Sequence, residues 1–127
     1  SRKPFLKAEW VKKNATVIQM SGYEIEDEIY LKADKKVVDN WAQLSHGAGA
    51  LIHKLADEGK LTEDMVITLP QLAAGQKPGR ESDDELCVAA TYGIGSVDVA
   101  VANHIYLNAK AQGIGQKLML WDNPLWV

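Results

Sequence analysis

Residues 78–115, PGRESDDELCVAATYGIGSVDVAVANHIYLNAKAQGIG, decide the fold class of this chain. A turn at Pro78–Arg80 leads into an acidic patch, Glu81–Glu85, and then into a short apolar strand, Leu86–Ala90. A Thr91-Tyr92-Gly93 corner follows, and the pattern after it predicts a long helix over 94–112. A buried strand that runs through a glycine corner into a helix is typical of a parallel α/β sheet.

The residues upstream repeat the same alternation of strand and helix. Residues 15–21 are β-rich and apolar, as in a strand that is buried on both faces of a sheet. A short helix over 27–33, in which Glu28 and Lys32 can pair, leads to a second strand over 35–39. A helix capped by Asn40 comes next, and its glycines delay its regular part to about Ala50. The order predicts a parallel sheet.

Two segments downstream of these elements are less regular. Residues 64–69 fit either a strand or a helix, and the glycine and proline corners of residues 70–82 indicate a loop. The last residues, 121–127, are expected to form a tail whose two tryptophan side chains are buried against other parts of the protein.

Composition limits the classes of function. The 127 residues are 46% apolar and carry a net charge of −3, which does not favour nucleic-acid binding. Cys87 is the single cysteine, so an internal disulfide is excluded, and we expect a buried, inert thiol. No apolar run is long enough to span a bilayer, and we therefore expect a cytoplasmic protein. The three histidines and the acidic patch lack a complete ligand set, so we predict no metal site.

Several blocks of this sequence resemble one known family. Gly79-Arg80, the run Ser82–Val88, the Thr91-Tyr92-Gly93 corner, and Asp98 with Ala102 are similar to the C-terminal signature of the ornithine cyclodeaminase/mu-crystallin family. Further upstream, the resemblance continues in Ser1–Pro4, Glu9–Lys12, Val37–Asp39 with Gln43, His46 and Gly47, and Leu69 with Leu72 and Gly75.

The resemblance implies the second half of a Rossmann-type parallel sheet domain followed by a C-terminal helix. No G-x-G-x-x-G fingerprint follows a predicted strand, although that turn holds the pyrophosphate of a dinucleotide. We therefore expect a fragment in which residues 1–92 form a partial dinucleotide-binding domain. Residues 93–127 are then a C-terminal helix and tail that pack on an N-terminal domain missing from the chain.

The resemblance also implies site residues. Met20, Ser21 and Gly22 form the turn that contacts the nicotinamide, and Tyr23 stands where many members carry a functional aspartate. Tyr23 is therefore the candidate catalytic residue, and the alternative is a tyrosine that packs at a strand end. Thr91 is the second cofactor-binding candidate, or a cap for the following helix. Tyr92 is the candidate substrate-binding residue.

The function implied is that of an NAD(P)-dependent oxidoreductase or cyclodeaminase-like enzyme that acts on an amino or imino acid. The replacement of the aspartate by Tyr23 leaves an alternative open, a non-catalytic NAD(P)-binding protein of the mu-crystallin type. NAD or NADP is the expected cofactor, and the expected assembly is a homodimer or a self-associating fragment. For Arg80, a structural role beside the acidic patch is favoured over substrate binding.

Overall fold

Four parallel strands form one sheet in the computed structural model, which describes residues 3–48, 50–119 and 121. They are β1 (Thr16–Gln19), β2 (Lys35–Val38), β3 (Ile67–Thr68) and β4 (Cys87–Ala90), in the spatial order β1-β4-β2-β3. β4 pairs with both β1 and β2, so the strand that is last in sequence lies inside the sheet. The predicted parallel α/β fold is confirmed.

Apart from the helix at Leu69–Ala73, the helices lie close to the predicted positions. They are α1 (Asp27–Lys32), α2 (Trp41–Gln43), α3 (Ala50–Asp57), α4 (Leu69–Ala73) and α5 (Gly95–Ala111), with 3-10 turns at Ala8–Trp10 and Glu63–Met65. Lys32 Nζ lies 2.6 Å from Glu28 Oε1, which confirms the predicted pair. The side chain of Asn40 accepts a hydrogen bond from Gln43 N at 2.9 Å, which confirms the predicted cap.

A kink separates α2 from α3. The stretch Leu44–Ala48 is a π-type turn in which His46 and Gly47 leave helical geometry, and Gly47 has a φ of 138°. A side chain at this φ would be strained, so glycine permits the break. The regular helix therefore begins at Ala50, as the glycine content predicts.

Helix α4 corrects the expectation of a loop from residue 70 onward. The Gln71 side chain accepts a hydrogen bond from Thr68 N at 3.0 Å, and Pro70 lies in the first turn, where its missing N–H costs nothing. These local starting signals outweigh the glycine and proline content of the segment that follows.

The hydrophobic core lies on one face of the sheet, beneath α1 and α3. Val38, Val88 and Ala90 face it from the strands, and each is fully buried. The helices and loops contribute buried residues that share an aliphatic or aromatic side chain: Ile25, Ile29, Tyr30, Ala33, Leu44, Leu51, Ile52, Leu55, Leu61, Val66 and Leu86.

The other face of the sheet is more open than predicted. Ile18 of β1 has 59% of its surface exposed, although a strand buried on both faces was expected. Cys87 is only half-buried, so the expectation of a buried thiol was wrong. Ile18, Val37 and Ala89 line a groove of about 340 Å³ on this face, with Leu69 and Leu72 of α4 at its side.

The chain divides into two compact units, Ser1–Ile94 and Gly95–Val127. The first holds the sheet and its core, and the second contains α5, which confirms the predicted long helix. No helix in the described residues combines the length and the apolar character needed to cross a membrane.

Candidate functional site

The carboxyl ends of the neighbouring strands β1 and β4 lie side by side, at the end of the sheet where its parallel strands terminate. Gln19 and Ala90 are opposite each other in the β1–β4 register. Thr91 N donates to Gln19 O at 2.9 Å, directly beyond the last paired residues. This contact brings the turn 20–23 next to the corner 91–93. Residues far apart in sequence that were predicted to form one site are therefore neighbours, at the edge where open α/β sheets bind ligands.

Glu24 holds the turn after β1. Its Oε2 accepts hydrogen bonds from Met20 N at 2.8 Å and from Ser21 N at 3.1 Å. These N–H groups favour the ionised carboxylate, Met20 N most, and they lower the pKa of Glu24 below its ordinary value. The turn thus carries a carboxylate that is already occupied by backbone donors.

Gly22 lies against the start of α3. Its carbonyl accepts a hydrogen bond from Leu51 N at 3.0 Å. A Cβ added at residue 22 would lie 3.3 Å from Ala50 Cβ, which is a tight contact. The glycine therefore lets the turn approach the helix closely, and its contact with a cofactor stays a prediction.

The ring of Tyr23 packs against the core. Lys54 Nζ lies 5.9 Å from the centre of that ring and also forms an ion pair with Asp27. This environment belongs to the α3 side of the turn, which favours the packing alternative for Tyr23. Its catalytic role stays a prediction.

Thr91 faces the turn after β1. Its hydroxyl lies 3.3 Å from Met20 Sδ, and Met20 has 66% of its surface exposed. Helix α5 begins at Gly95, so the residue that directly precedes it is Ile94. Thr91 is too far upstream to cap the helix, and that alternative was wrong.

Tyr92 presents a hydroxyl that is buried and has no hydrogen-bond partner among the described residues. Burial, with smaller contributions from the charges of Glu24 and Asp39, raises the pKa of Tyr92 to about 12. The hydroxyl is therefore protonated at neutral pH, and the Tyr92 side chain, like that of Tyr23, packs against the core. Gln19 Oε1 is a second buried atom without a partner in the described part of the chain, although Gln19 Nε2 donates to Ser21 O at 2.9 Å.

Asp39, which directly follows β2, organises the corner after β4. The residue is only 3% exposed. Its Oδ2 accepts from Tyr92 N and from Gly93 N, both at 2.8 Å, and its Oδ1 accepts from Asn40 N at 2.8 Å. The sequence placed Asp39 only within a block of the resemblance. An acidic residue directly after a buried strand is the signal that marks it.

Arg80 lies at the opposite end of the strands. Its guanidinium donates to the carbonyl oxygens of Glu85 at 2.7 Å and Ala15 at 3.1 Å, and to Thr16 Oγ1 at 2.9 Å. These contacts tie the loop before β4 to the start of β1, and they favour the structural role predicted for Arg80. In the described residues, no group of three or more His, Cys, Asp or Glu side chains is arranged to hold a metal ion.

Comparison with known proteins agrees with this geometry. Residues 1–113 match the sequence profile of the ornithine cyclodeaminase/mu-crystallin family. Among curated relatives, the N-((2S)-2-amino-2-carboxyethyl)-L-glutamate dehydrogenase of Staphylococcus aureus is 35% identical over 119 residues, which are 93% of this chain and 35% of that protein.

Solved structures share the fold. The Δ1-pyrroline-2-carboxylate reductase of Thermococcus litoralis, in complex with NADH and L-proline, matches with a TM-score of 0.80 and 25% identity, over 93% of this chain and 38% of that one. An archaeal alanine dehydrogenase dimer with bound NAD matches with a TM-score of 0.77 and 36% identity, over 95% and 39%. The chain thus spans little more than a third of the length of these relatives.

Proposed function

Because the chain belongs to the ornithine cyclodeaminase/mu-crystallin family, we propose that it supplies the nicotinamide end of an NAD(P)-dependent oxidoreductase. The complete protein would transfer a hydride between the nicotinamide and the α-carbon of an amino or imino acid. The observation that carries the proposal is the junction of β1 and β4, where Thr91 N donates to Gln19 O. The relatives bound to NADH with L-proline and to NAD support it.

The residues directly beyond the carboxyl ends of β1 and β4 suit the nicotinamide end of a dinucleotide. Met20 offers apolar contact to a flat ring, and the Thr91 hydroxyl lies beside it as a hydrogen-bonding group. Gly93 keeps the corner free of a side chain that would crowd the ring. The chain contains no G-x-G-x-x-G turn after a strand, so the pyrophosphate would be held by another part of the complete protein.

The chain's own residues would orient the reactants. When bound, the nicotinamide supplies or accepts the hydride, and Thr91 with the turn 20–22 would fix the position of the ring. Tyr92, which directly follows Thr91 at this end of the strands, stays the proposed substrate-binding residue. Tyr23 stays the proposed proton donor, on the strength of its place in the family pattern.

The C-terminal unit would complete the enzyme by contact with other parts of the protein. Helix α5 exposes Val97, Val101, Ile105 and Leu107, each by more than half of its surface. Apolar surface of this kind is typical of a contact face. We propose that residues 93–127 pack on an N-terminal domain of the complete protein, that the protein is a homodimer, and that it works in the cytoplasm.

A second candidate function is NAD(P) binding without efficient catalysis. The Glu24 carboxylate is occupied by the backbone of its own turn, and the Tyr23 ring packs against the core. The backbone bonds of Glu24 leave it less free to act as a base, and the packing of the Tyr23 ring is what the second candidate would require.

The two functions are separated by assays on the complete open reading frame that contains these residues, with the 127-residue chain as the control. We expect the complete protein to bind NADH or NADPH and to reduce imino acids, either cyclic or formed from a 2-oxo acid and ammonia. The isolated chain should show no turnover because it lacks the pyrophosphate turn. Tight cofactor binding without turnover would establish the non-catalytic function. Absence of both binding and turnover would contradict the two proposals together.

A further inference from the structure

The Asp39 carboxylate is buried at the point where the β2–β4 ladder ends. Asp39 N donates the last ladder bond, to Ala90 O at 3.2 Å. The side chain of Asp39 then accepts from Tyr92 N and Gly93 N, both beyond β4. The carboxylate therefore replaces the strand as the hydrogen-bonding partner of the corner.

The backbone donors of the corner are all accounted for in this way. Thr91 N donates to Gln19 O on one side, and the next two N–H groups donate to Asp39 on the other. Since consecutive donors are fixed to two different strands, the corner cannot shift toward either strand without losing a bond. The Thr91 side chain that this backbone carries has its hydroxyl 3.3 Å from Met20 Sδ.

The charge of Asp39 strengthens the hold on the corner. An ionised carboxylate is costly to bury unless it is well hydrogen-bonded, and bonds to a charged acceptor are roughly twice as strong as neutral ones. Its three bonds come from backbone N–H groups, and within the described part of the chain it forms no ion pair. Within the described residues, two of the three hydrogen bonds of this buried carboxylate thus fix the backbone of the corner.

We propose that Asp39 is a positioning residue for the nicotinamide site: it holds the Thr91–Gly93 corner so that the Thr91 hydroxyl faces the turn after β1. This role rests on the proposed function for its consequence in catalysis. The hold on the corner itself rests on the hydrogen bonds alone. Asp39 does not touch the reacting atoms in this role, and it acts through Thr91.

Asp34 provides a matched control within the same strand pair. It directly precedes β2, and its Oδ2 accepts a hydrogen bond from Leu86 N at 2.8 Å, directly before β4. The two aspartates thus make the same kind of side-chain bond to the same neighbouring strand, at opposite ends. Only Asp39 lies at the edge that carries Thr91.

The test compares Asp39→Asn, Asp39→Ala, Asp34→Asn and Asp34→Ala in the complete protein, under conditions in which each variant is folded. Asp39→Ala should lower kcat or the affinity for NADH by roughly 10- to 100-fold, because a misplaced positioning group has effects of that size. Asp39→Asn keeps one carbonyl oxygen that can accept from the corner, so it should recover a large part of the loss. The Asp34 variants should lower the urea midpoint of unfolding and leave kcat and KM unchanged.

A second measurement tests whether Asp39 fixes the corner, independently of cofactor binding and turnover. In NMR spectra of each variant, the amide signals of Tyr92 and Gly93 should move in the Asp39 variants and stay in place in the Asp34 variants. Unchanged signals would overturn the proposal even if the protein is inactive. Wild-type kcat and NADH affinity in folded Asp39→Ala would overturn it in an active protein. A wild-type protein without cofactor binding, whose amide signals still move in the Asp39 variants, would refute the proposed function and leave the positioning of the corner established.

Discussion

The two ends of the β2–β4 strand pair are held by the same kinds of side-chain hydrogen bond to backbone, but they differ in which groups have no partner. At each end, an aspartate beside β2 accepts hydrogen bonds from the backbone beyond β4: Asp34 from Leu86, and Asp39 from Tyr92 and Gly93. These side-chain bonds extend the pairing of the two strands past the ladder in both directions.

Each end also contains a glutamate that holds its own turn. Glu24 accepts from Met20 N and Ser21 N at the carboxyl end. At the amino end, Glu85 Oε2 accepts from Glu81 N at 2.8 Å, and this bond lowers the pKa of Glu85 below its ordinary value. The turns are therefore stabilised by the same mechanism.

The difference lies in what remains unpartnered. Cations close the amino end: Arg80 binds carbonyl oxygens there, and Lys35 Nζ lies 3.8 Å from Glu85 Oε1 and also pairs with Glu81. At the carboxyl end, Met20 is exposed and the Tyr92 hydroxyl has no partner in the described residues. The two ends therefore differ in their partners: the cations at the amino end are paired, whereas the carboxyl end has an exposed Met20 and a buried hydroxyl without a partner in the described residues.

The largest expected effect is at Tyr23 and tests whether the carboxyl end performs proton transfer. Tyr23→Phe in the complete protein should lower kcat by about 10²-fold or more if its hydroxyl transfers a proton. Tyr30→Phe is the control, because the Tyr30 hydroxyl donates to Val37 O at 3.1 Å within the core. That change should cost about 1 kcal/mol of stability and leave kcat unchanged. A wild-type kcat in Tyr23→Phe would reduce Tyr23 to packing beside Lys54.

A substitution at Gly93 tests how strictly the corner is fixed. Gly93 has a φ of 102°, so Gly93→Ala should destabilise the protein by about 1–3 kcal/mol, although a Cβ would meet no atom within 4 Å. The urea midpoint of unfolding measures this loss. Gly95→Ala is the control, since Gly95 opens α5 without a positive φ and its Cβ is also unobstructed. Equal stability of the two variants would show that the corner tolerates other backbone geometries.

A substitution at Arg80 tests whether the amino end is purely structural. Arg80→Ala removes the hydrogen bonds to Glu85 O, Ala15 O and Thr16 Oγ1 and should cost about 1–2 kcal/mol of stability. Arg80→Lys keeps the charge without the planar fork, so it should restore only part of the loss. Urea unfolding measures stability, and NADH titration of the complete protein should give an unchanged Kd. A weaker Kd in folded Arg80→Ala would refute the separation of the two ends.

The sequence predicts the elements of the fold better than the contacts that fix the site. Apolar periodicity and turn residues locate β1, β2, β4 and α5 to within one or two residues, because these signals are local, whereas the segment that contains β3 fitted either a strand or a helix. Helix α4 was missed because the glycines and prolines of residues 70–82 suggest a loop, whereas the Thr68–Gln71 cap that starts the helix is short.

The residues of the candidate site could be named from the sequence, but the contacts that support them could not. Turn 20–23 and corner 91–93 come together as the family pattern implies. The roles of Asp34 and Asp39 could not be predicted, because each bonds to backbone more than 50 positions away in sequence. Such a bond depends on the register of β2 against β4, which only the packed sheet determines.

The smallest expected effect is the pH dependence that Glu24 contributes at the carboxyl end. Hydrogen bonds from Met20 N and Ser21 N lower the pKa of Glu24 in the folded chain. A lowered carboxyl pKa gives a stability contribution that is present above the unfolded value, about 4.3, and is lost as the pH falls through the folded value. Glu24→Gln should therefore be less stable than wild type at neutral pH, and the difference should shrink as the pH falls below about 4.3. Urea midpoints measured across this range test the expectation.

Glu85→Gln should give the same convergence at the amino end, because the pKa of Glu85 is lowered in the same way. Only the change at Glu24 should also weaken NADH binding in the complete protein, since its turn borders the proposed site. If both glutamine variants weakened NADH binding equally, the carboxyl and amino ends of the strands would not differ in their effect on ligand binding, and the proposed separation of a ligand-binding end from a structural end would be wrong. If Glu24→Gln ran parallel to wild type through the acid range, the turn would not depend on the charge of Glu24.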